Sequence, residues 1–225
     1  MGFHGSLGIR YNINEIKPFI GRGDVVILVP EYANFMGNYD GDANLLYAIS
    51  CYRKVLEFIP RDQLYRLIKG GTLQFIQIKT QSYIDCLVLA IRRNSGPVSN
   101  KHGDIVTSEF VRDVSNTQYV FTYYEYDVMK CIEMLSEFNS YCVDRGARAM
   151  LVFQALPIPQ YKWNRDAFNT LYNRIVDNTS ISVIQSPQQS VYKADMFYDT
   201  ITHLNHRGRN IRSKYLAGQL KSMLY

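Results

Sequence analysis

An α/β protein, with a parallel sheet flanked by helices, is what three observations predict. Asp24-Val25-Val26-Ile27-Leu28-Val29-Pro30 is a continuous apolar run of β-branched and aliphatic residues, the pattern of a strand buried on both faces. Ala149-Met150-Leu151-Val152-Phe153 and Ile181-Ser182-Val183-Ile184 repeat that signal. Helix-length amphipathic stretches separate the runs, which is the alternation of a layered α/β domain. Three strands are few for such a fold, whose sheets usually have more.

Taken in order, the chain opens on a glycine-rich segment from Gly2 to Gly8. Apolar residues at 9, 13 and 16 then predict a helix that leaves at Pro18, Gly21 and Gly23. From Ala43 to Ile59, Leu45, Ile49, Tyr52, Leu56 and Ile59 recur at helical spacing until Pro60. A second helix is expected over 61–69, broken by Gly70-Gly71, and a third over 72–92. Residues 94–122 are polar and irregular, and read as an insertion within one domain spanning 1–225, a cap over a site. A helix over 126–144 carries the stripe Val128, Cys131, Leu135, Phe138 and Cys142 and stops at Gly146. Further helices are expected over 164–177 and from Asn205 to Leu224, with Asn205 as the cap of the last and Gly208 serving packing.

Composition narrows the function. Apolar residues at 47% and charged residues at 20% are globular proportions, and 225 residues suffice for a sizeable core. The net charge of +5 comes from scattered Lys and Arg, so no nucleic-acid partner is indicated. No apolar run approaches the roughly 18–20 residues that cross a bilayer, so no membrane span is expected. The four cysteines lack C-x-x-C spacing and read as buried free thiols, and four scattered histidines do not suggest a metal site.

The chemistry concentrates in Asp199-Thr200-Ile201-Thr202-His203-Leu204-Asn205-His206-Arg207-Gly208. An acid four residues before a histidine, in a loop leading into a helix, can orient an imidazole and stabilise its protonated form. The same spacing also suits a plain hydrogen-bonded loop. Glu31 stands at the carboxyl end of the first apolar run, where open α/β sheets place functional groups, and a carboxylate paired with a nearby Arg is the equal alternative. Ser6, in His4-Gly5-Ser6-Leu7-Gly8, superficially resembles a nucleophile turn, but only five residues precede it and no strand leads in. The 18 tyrosines, clustered at Tyr123, Tyr124 and Tyr126, are candidates for sugar stacking as well as for ordinary packing.

The Asp199–Gly208 block resembles the terminal Asp/His block of SGNH-type (GDSL-like) esterases and acyltransferases, in the variants found with bacterial surface-polysaccharide genes. Two further stretches are similar to that subgroup: Gly2 to Tyr11, and Gly23 through Pro30-Glu31-Tyr32. The resemblance implies a three-layer flavodoxin-like fold with strand order 2-1-3-4-5, of which strands 24–30, 148–154 and 180–185 would be the third, fourth and fifth. It implies His203 as general base and Asp199 as its orienter, with a serine nucleophile in a Gly-x-Ser turn upstream of Gly2. The chain begins after that turn, so the expectation is an N-terminally truncated form of a longer protein, inactive by itself. Gly2 aligns with the block that supplies an oxyanion-hole N–H. The usual hole asparagine has no counterpart in Pro30-Glu31-Tyr32, which leaves Glu31 or Asn34 as candidates there.

The implied activity is hydrolysis of, or transfer to, an O-acyl group on a carbohydrate, without metal or organic cofactor. The parent protein would work outside the cytoplasm behind an N-terminal anchor. A non-catalytic polysaccharide-binding or assembly protein that keeps the fold is the alternative, favoured by the altered Pro30-Glu31-Tyr32 block. A nucleotide-binding domain is disfavoured because no G-x-G-x-x-G follows a strand. Without its first two strands the sheet would expose 24–30 as an apolar edge, and a homodimer through that edge is expected.

Overall fold

The computed structural model describes residues 5–92, 114 and 118–224; for 85–92 and 224 it describes the backbone. These residues form two compact units, one from residues 1–19 and 37–107, the other from 20–36 and 108–225.

The first unit is helical. It holds α1 (Ile9–Ile16), α2 (Ala43–Cys51) and α3 (Arg61–Arg92), joined by 3-10 turns. Tyr11, Leu45, Ile59 and Leu67 form its core, with Leu46, Ile49, Phe58 and Leu64 packed around them. Gly8 has φ +80°, and a Cβ there would lie 2.2 Å from the backbone nitrogen of Gly41, so only glycine permits this crossing. Asp42 caps α2 by accepting the Asn44 N–H at 2.7 Å.

Two expectations fail in this unit. The helix expected to run to Ile59 ends at Cys51; Tyr52 is extended, and Arg53–Phe58 form a 3-10 helix instead. Gly70-Gly71 does not break the next helix, because α3 is continuous over 32 residues. The reason is packing: a Cβ on Gly71 would sit 3.2 Å from Leu46 and 3.6 Å from the Ala43 backbone. The glycine is where α2 approaches, and that contact outweighs the roughly 1 kcal/mol helix penalty of glycine.

The second unit is mixed α/β. β1 (Val25–Leu28), β2 (Arg148–Val152) and β4 (Ser182–Gln185) form a wholly parallel sheet in the order β1-β2-β4. α4 (Glu125–Asp144) packs on β2 and α7 (His206–Leu224) on β4, while α6 (Arg165–Asn178) packs on α4. Met150, Val152 and Ile184 pack with Leu216 and Leu220 of α7. The pleat turns Ala149 and Leu151 to the opposite face, and α4 lies against β2. Among the described residues β1 pairs with β2 on one side only, and its Ile27 is 38% exposed. It is therefore an edge strand rather than one buried on both faces.

Between these elements lie α5 (Ile158–Trp163), a helix not expected in the stretch before 164, and a second parallel pair. That pair consists of β3 (Leu156–Pro157) and β5 (Val191–Tyr192). Cys131 and Cys142 are buried as expected, but Cys51 is exposed at the end of α2. No described helix is long and apolar enough to cross a membrane. Of the irregular segment 94–122, residues 114 and 118–122 are described; the rest lies outside the described residues.

Candidate active site

The site lies in the second unit, at the carboxyl ends of the parallel strands. An antiparallel bridge between Phe197 and Leu204 closes a short loop that carries Asp199 and His203. Thr200 Oγ1 accepts the His203 N–H at 3.2 Å, and Tyr198 N–H donates to the His203 carbonyl at 2.8 Å. His203 Nδ1 lies 2.8 Å from Asp199 Oδ1. An ionised carboxylate can only accept, so Nδ1 is the donor in this contact, and in a neutral ring Nε2 then keeps its lone pair. Both side chains are open to water, 57% for His203 and 44% for Asp199. At that exposure the pair adds little stability; its effect is to orient the ring.

The base of this loop is held from α7. Asn205 precedes the helix, and its Oδ1 accepts the Gly208 N–H at 3.0 Å, the N-cap geometry expected of it. Asn205 N–H donates to the Met196 carbonyl at 2.8 Å. A Cβ on Gly208 would come within 2.6 Å of that same carbonyl, so the glycine does serve packing.

Ile201 and Thr202 form part of the wall of a cleft of about 170 Å³, which places the Asp199–His203 loop at its rim. Glu31, Tyr32, Ala33 and Met36 supply a second wall, from the turn after β1. Asn34 Oδ1 accepts the Glu31 N–H at 3.1 Å, while Asn34 N–H donates to the Glu31 carbonyl at 2.9 Å. Asn34 is thereby fully buried and clasps the turn; Glu31 lines the cleft and Asn34 does not. Glu31 forms no ion pair with any described residue. Gly2 lies outside the described residues.

Tyr32 ties the ends of β1 and β2 together, its hydroxyl donating to the Gln154 carbonyl at 3.2 Å. Its ring meets Phe168 at 4.7 Å and Phe121 at 5.5 Å. Burial pushes the Tyr32 phenol far above the ordinary tyrosine range, so it stays a neutral donor. Burial likewise lowers the pKa of Arg212, which donates to the Phe153 carbonyl at 2.9 Å from α7.

The remaining wall comes from the end of the irregular segment. Tyr119 N–H donates to Gln160 Oε1 at 3.2 Å and Phe121 N–H to Asn164 Oδ1 at 3.0 Å, which holds both aromatic residues against the cleft. Gln154, also in the wall, has a buried Oε1 with no hydrogen-bond partner among the described residues. Sequence reasoning did not select Gln154, Tyr119 or Phe121. Among the described residues, no three His, Cys, Asp or Glu side chains gather as a metal site would require.

Chemically, the arrangement offers an oriented imidazole with a free Nε2 at the rim of an aromatic-walled cleft. Glu31 stands in that cleft as a hydrogen-bond acceptor. No family model matches the sequence, and no curated protein or solved structure matches it at significance.

Proposed function

We propose that the second unit is the Asp/His part of an SGNH-type, flavodoxin-like ester-processing domain that hydrolyses or transfers an O-acyl group of a carbohydrate. The observation that carries this reading is the 2.8 Å Asp199–His203 pair, on the loop whose Ile201 and Thr202 line the cleft. The parallel order β1-β2-β4 supports it, since it is the order such a fold would give its third, fourth and fifth strands. Tyr119, an exposed ring in the cleft wall, suits a sugar ring. In this mechanism His203 Nε2 takes the proton of a serine hydroxyl as that oxygen attacks the acyl carbon. Asp199 stabilises the resulting imidazolium, and the proton passes on to the departing sugar oxygen. No described serine is hydrogen-bonded to Nε2, so in this reading the chain is inactive until such a hydroxyl is brought there.

A non-catalytic polysaccharide-binding role is the second reading. It is favoured by Pro30-Glu31-Tyr32, which presents a carboxylate where a hole amide would stabilise an oxyanion. One experiment separates the two. The protein is expressed from its full open reading frame, and His203→Ala is compared with wild type for turnover of p-nitrophenyl acetate and for calorimetric binding of an O-acetylated oligosaccharide. Catalysis predicts a loss of about 10²–10⁴ in turnover with binding retained. Binding without turnover in both proteins sinks the first reading, and absence of both activities sinks the two together.

A further inference from the structure

α3 carries apolar residues on two opposed faces. Leu64, Leu67, Gly71, Phe75 and Ile78 form the stripe that turns toward α2 and the core of the first unit. Tyr65, Ile68, Leu73, Ile76, Tyr83 and Ile84 form another, and all six are exposed, Leu73 to 80% and Tyr65 to 67%. A helix apolar on both sides belongs between two partners. α2 is only nine residues long against the 32 of α3, so it covers one side and part of the length.

We propose that a second copy of this chain covers the open face, with α3 packed antiparallel against α3 of the other copy about a two-fold axis. Three observations favour that occupant. The six side chains offer on the order of 600–700 Å² per copy, close to the roughly 800 Å² per partner of a specific interface. The face carries few charges. Arg66 and Asp62 pair with each other and with Asp40 and Arg10, and Lys79 turns its ammonium over the Phe75 ring at 5.6 Å. Arg61, Lys69 and Lys79 have no ion pair with a described residue, but these three cations are spread over about five turns of the helix, a sparser charge than an anionic membrane or a strongly acidic protein would call for.

The third observation is self-complementarity. A single antiparallel register sets Leu73 against Ile76 of the second copy and also Tyr65 against Ile84. At 1.5 Å per residue it leaves the two Lys69 side chains about 16 Å apart along the axis, beyond the screening length of roughly 8–10 Å. Such an isologous contact closes on itself and needs no further copies. The β1 edge is the competing surface for self-association, but four residues make a short edge, which blunts strand pairing.

Sedimentation velocity on the 225-residue chain over about 1–100 µM tests the proposal. The expected species has twice the 26.1 kDa chain mass. Leu73→Glu should raise the dissociation constant at least about 100-fold with the helical circular dichroism unchanged, and Ile27→Lys at the sheet edge should leave the dimer intact. A wild-type monomer at the top of the range overturns the proposal and leaves the face to another partner. A dimer that survives Leu73→Glu overturns it too, and one that also dissociates with Ile27→Lys assigns the contact to the sheet edge.

Discussion

Alanine in place of Gly208 and of Gly218 makes one chemical change at two positions of α7, and the two sites demand opposite outcomes. By helix propensity alone each substitution gains up to about 1 kcal/mol. At Gly218 nothing lies within 4 Å of the added Cβ, so the gain survives, reduced to about 0.5 kcal/mol by fraying near the helix end. At Gly208 the Cβ would meet the Met196 carbonyl at 2.6 Å and Leu204 Cδ2 at 2.9 Å. The leucine can turn aside. The carbonyl is backbone, and it also accepts the Asn205 N–H at 2.8 Å, so its retreat breaks a second contact. Overpacking of this kind costs about 1–3 kcal/mol. The upper part of that range applies, and after the propensity gain Gly208→Ala loses about 1–2 kcal/mol net. That is a fall of about 2–8 °C in Tm for a chain of this size. Urea unfolding followed by far-ultraviolet circular dichroism reads both variants, with an unchanged m-value as the condition for comparing them. Gly208→Ala at or above wild-type stability, or the two variants moving together, would refute the close approach of α7 to the Met196 backbone.

Two further outcomes concern the first unit. Hydrogen bonds from Arg10 and then Arg66 hold the Asp62 carboxyl down at about 2, below its ordinary value of 3.8. A carboxyl whose folded pKa is depressed stabilises the fold above its unfolded pKa and loses that contribution as pH falls toward the folded one. Stability should therefore decline between about pH 4 and pH 2, and Asp62→Asn should flatten that limb in pH-dependent urea titrations; an unchanged limb counts against the ion cluster. Cys51 is exposed whereas Cys131 and Cys142 are buried, with Cys131 donating to the Asn34 carbonyl at 3.0 Å. Native iodoacetamide treatment with peptide mapping should label Cys51 and spare the other two, and labelling of Cys131 before unfolding would contradict the packing of α4 on the Tyr32 turn.

What could be read from the sequence was whatever is local along the chain. The spacing of 9, 13 and 16 gives α1, and the stripe from Val128 to Cys142 gives α4, because each periodicity reports a single buried face. Asn205 as a cap and Asp199 four residues before His203 were visible for the same reason: both partners lie within one turn of chain. Gly70-Gly71 misled because a glycine pair has two meanings. Propensity says stop, and only the position of α2 shows that Gly71 is an approach point. β3 and β5, two residues each, carry no period to detect and exist through their pairing across 156–192.

The cleft divides along the same line. Its rim pair comes from five consecutive residues, but its walls come from 31–36, 119–121, 154 and 201–202, segments that share no motif. Tyr119 and Phe121 reach the wall only because Gln160 and Asn164 of the α5 region take hold of their backbone. A carboxamide that binds main chain 41 or 43 residues away leaves no mark on hydrophobic periodicity. Gln154 became visible through a different property, a buried oxygen that no described residue satisfies. Burying such an acceptor costs about 1–3 kcal/mol. The orientation of the imidazole thus rests on chain-local geometry, whereas the cleft wall beside it rests on contacts between distant segments that no local pattern reports.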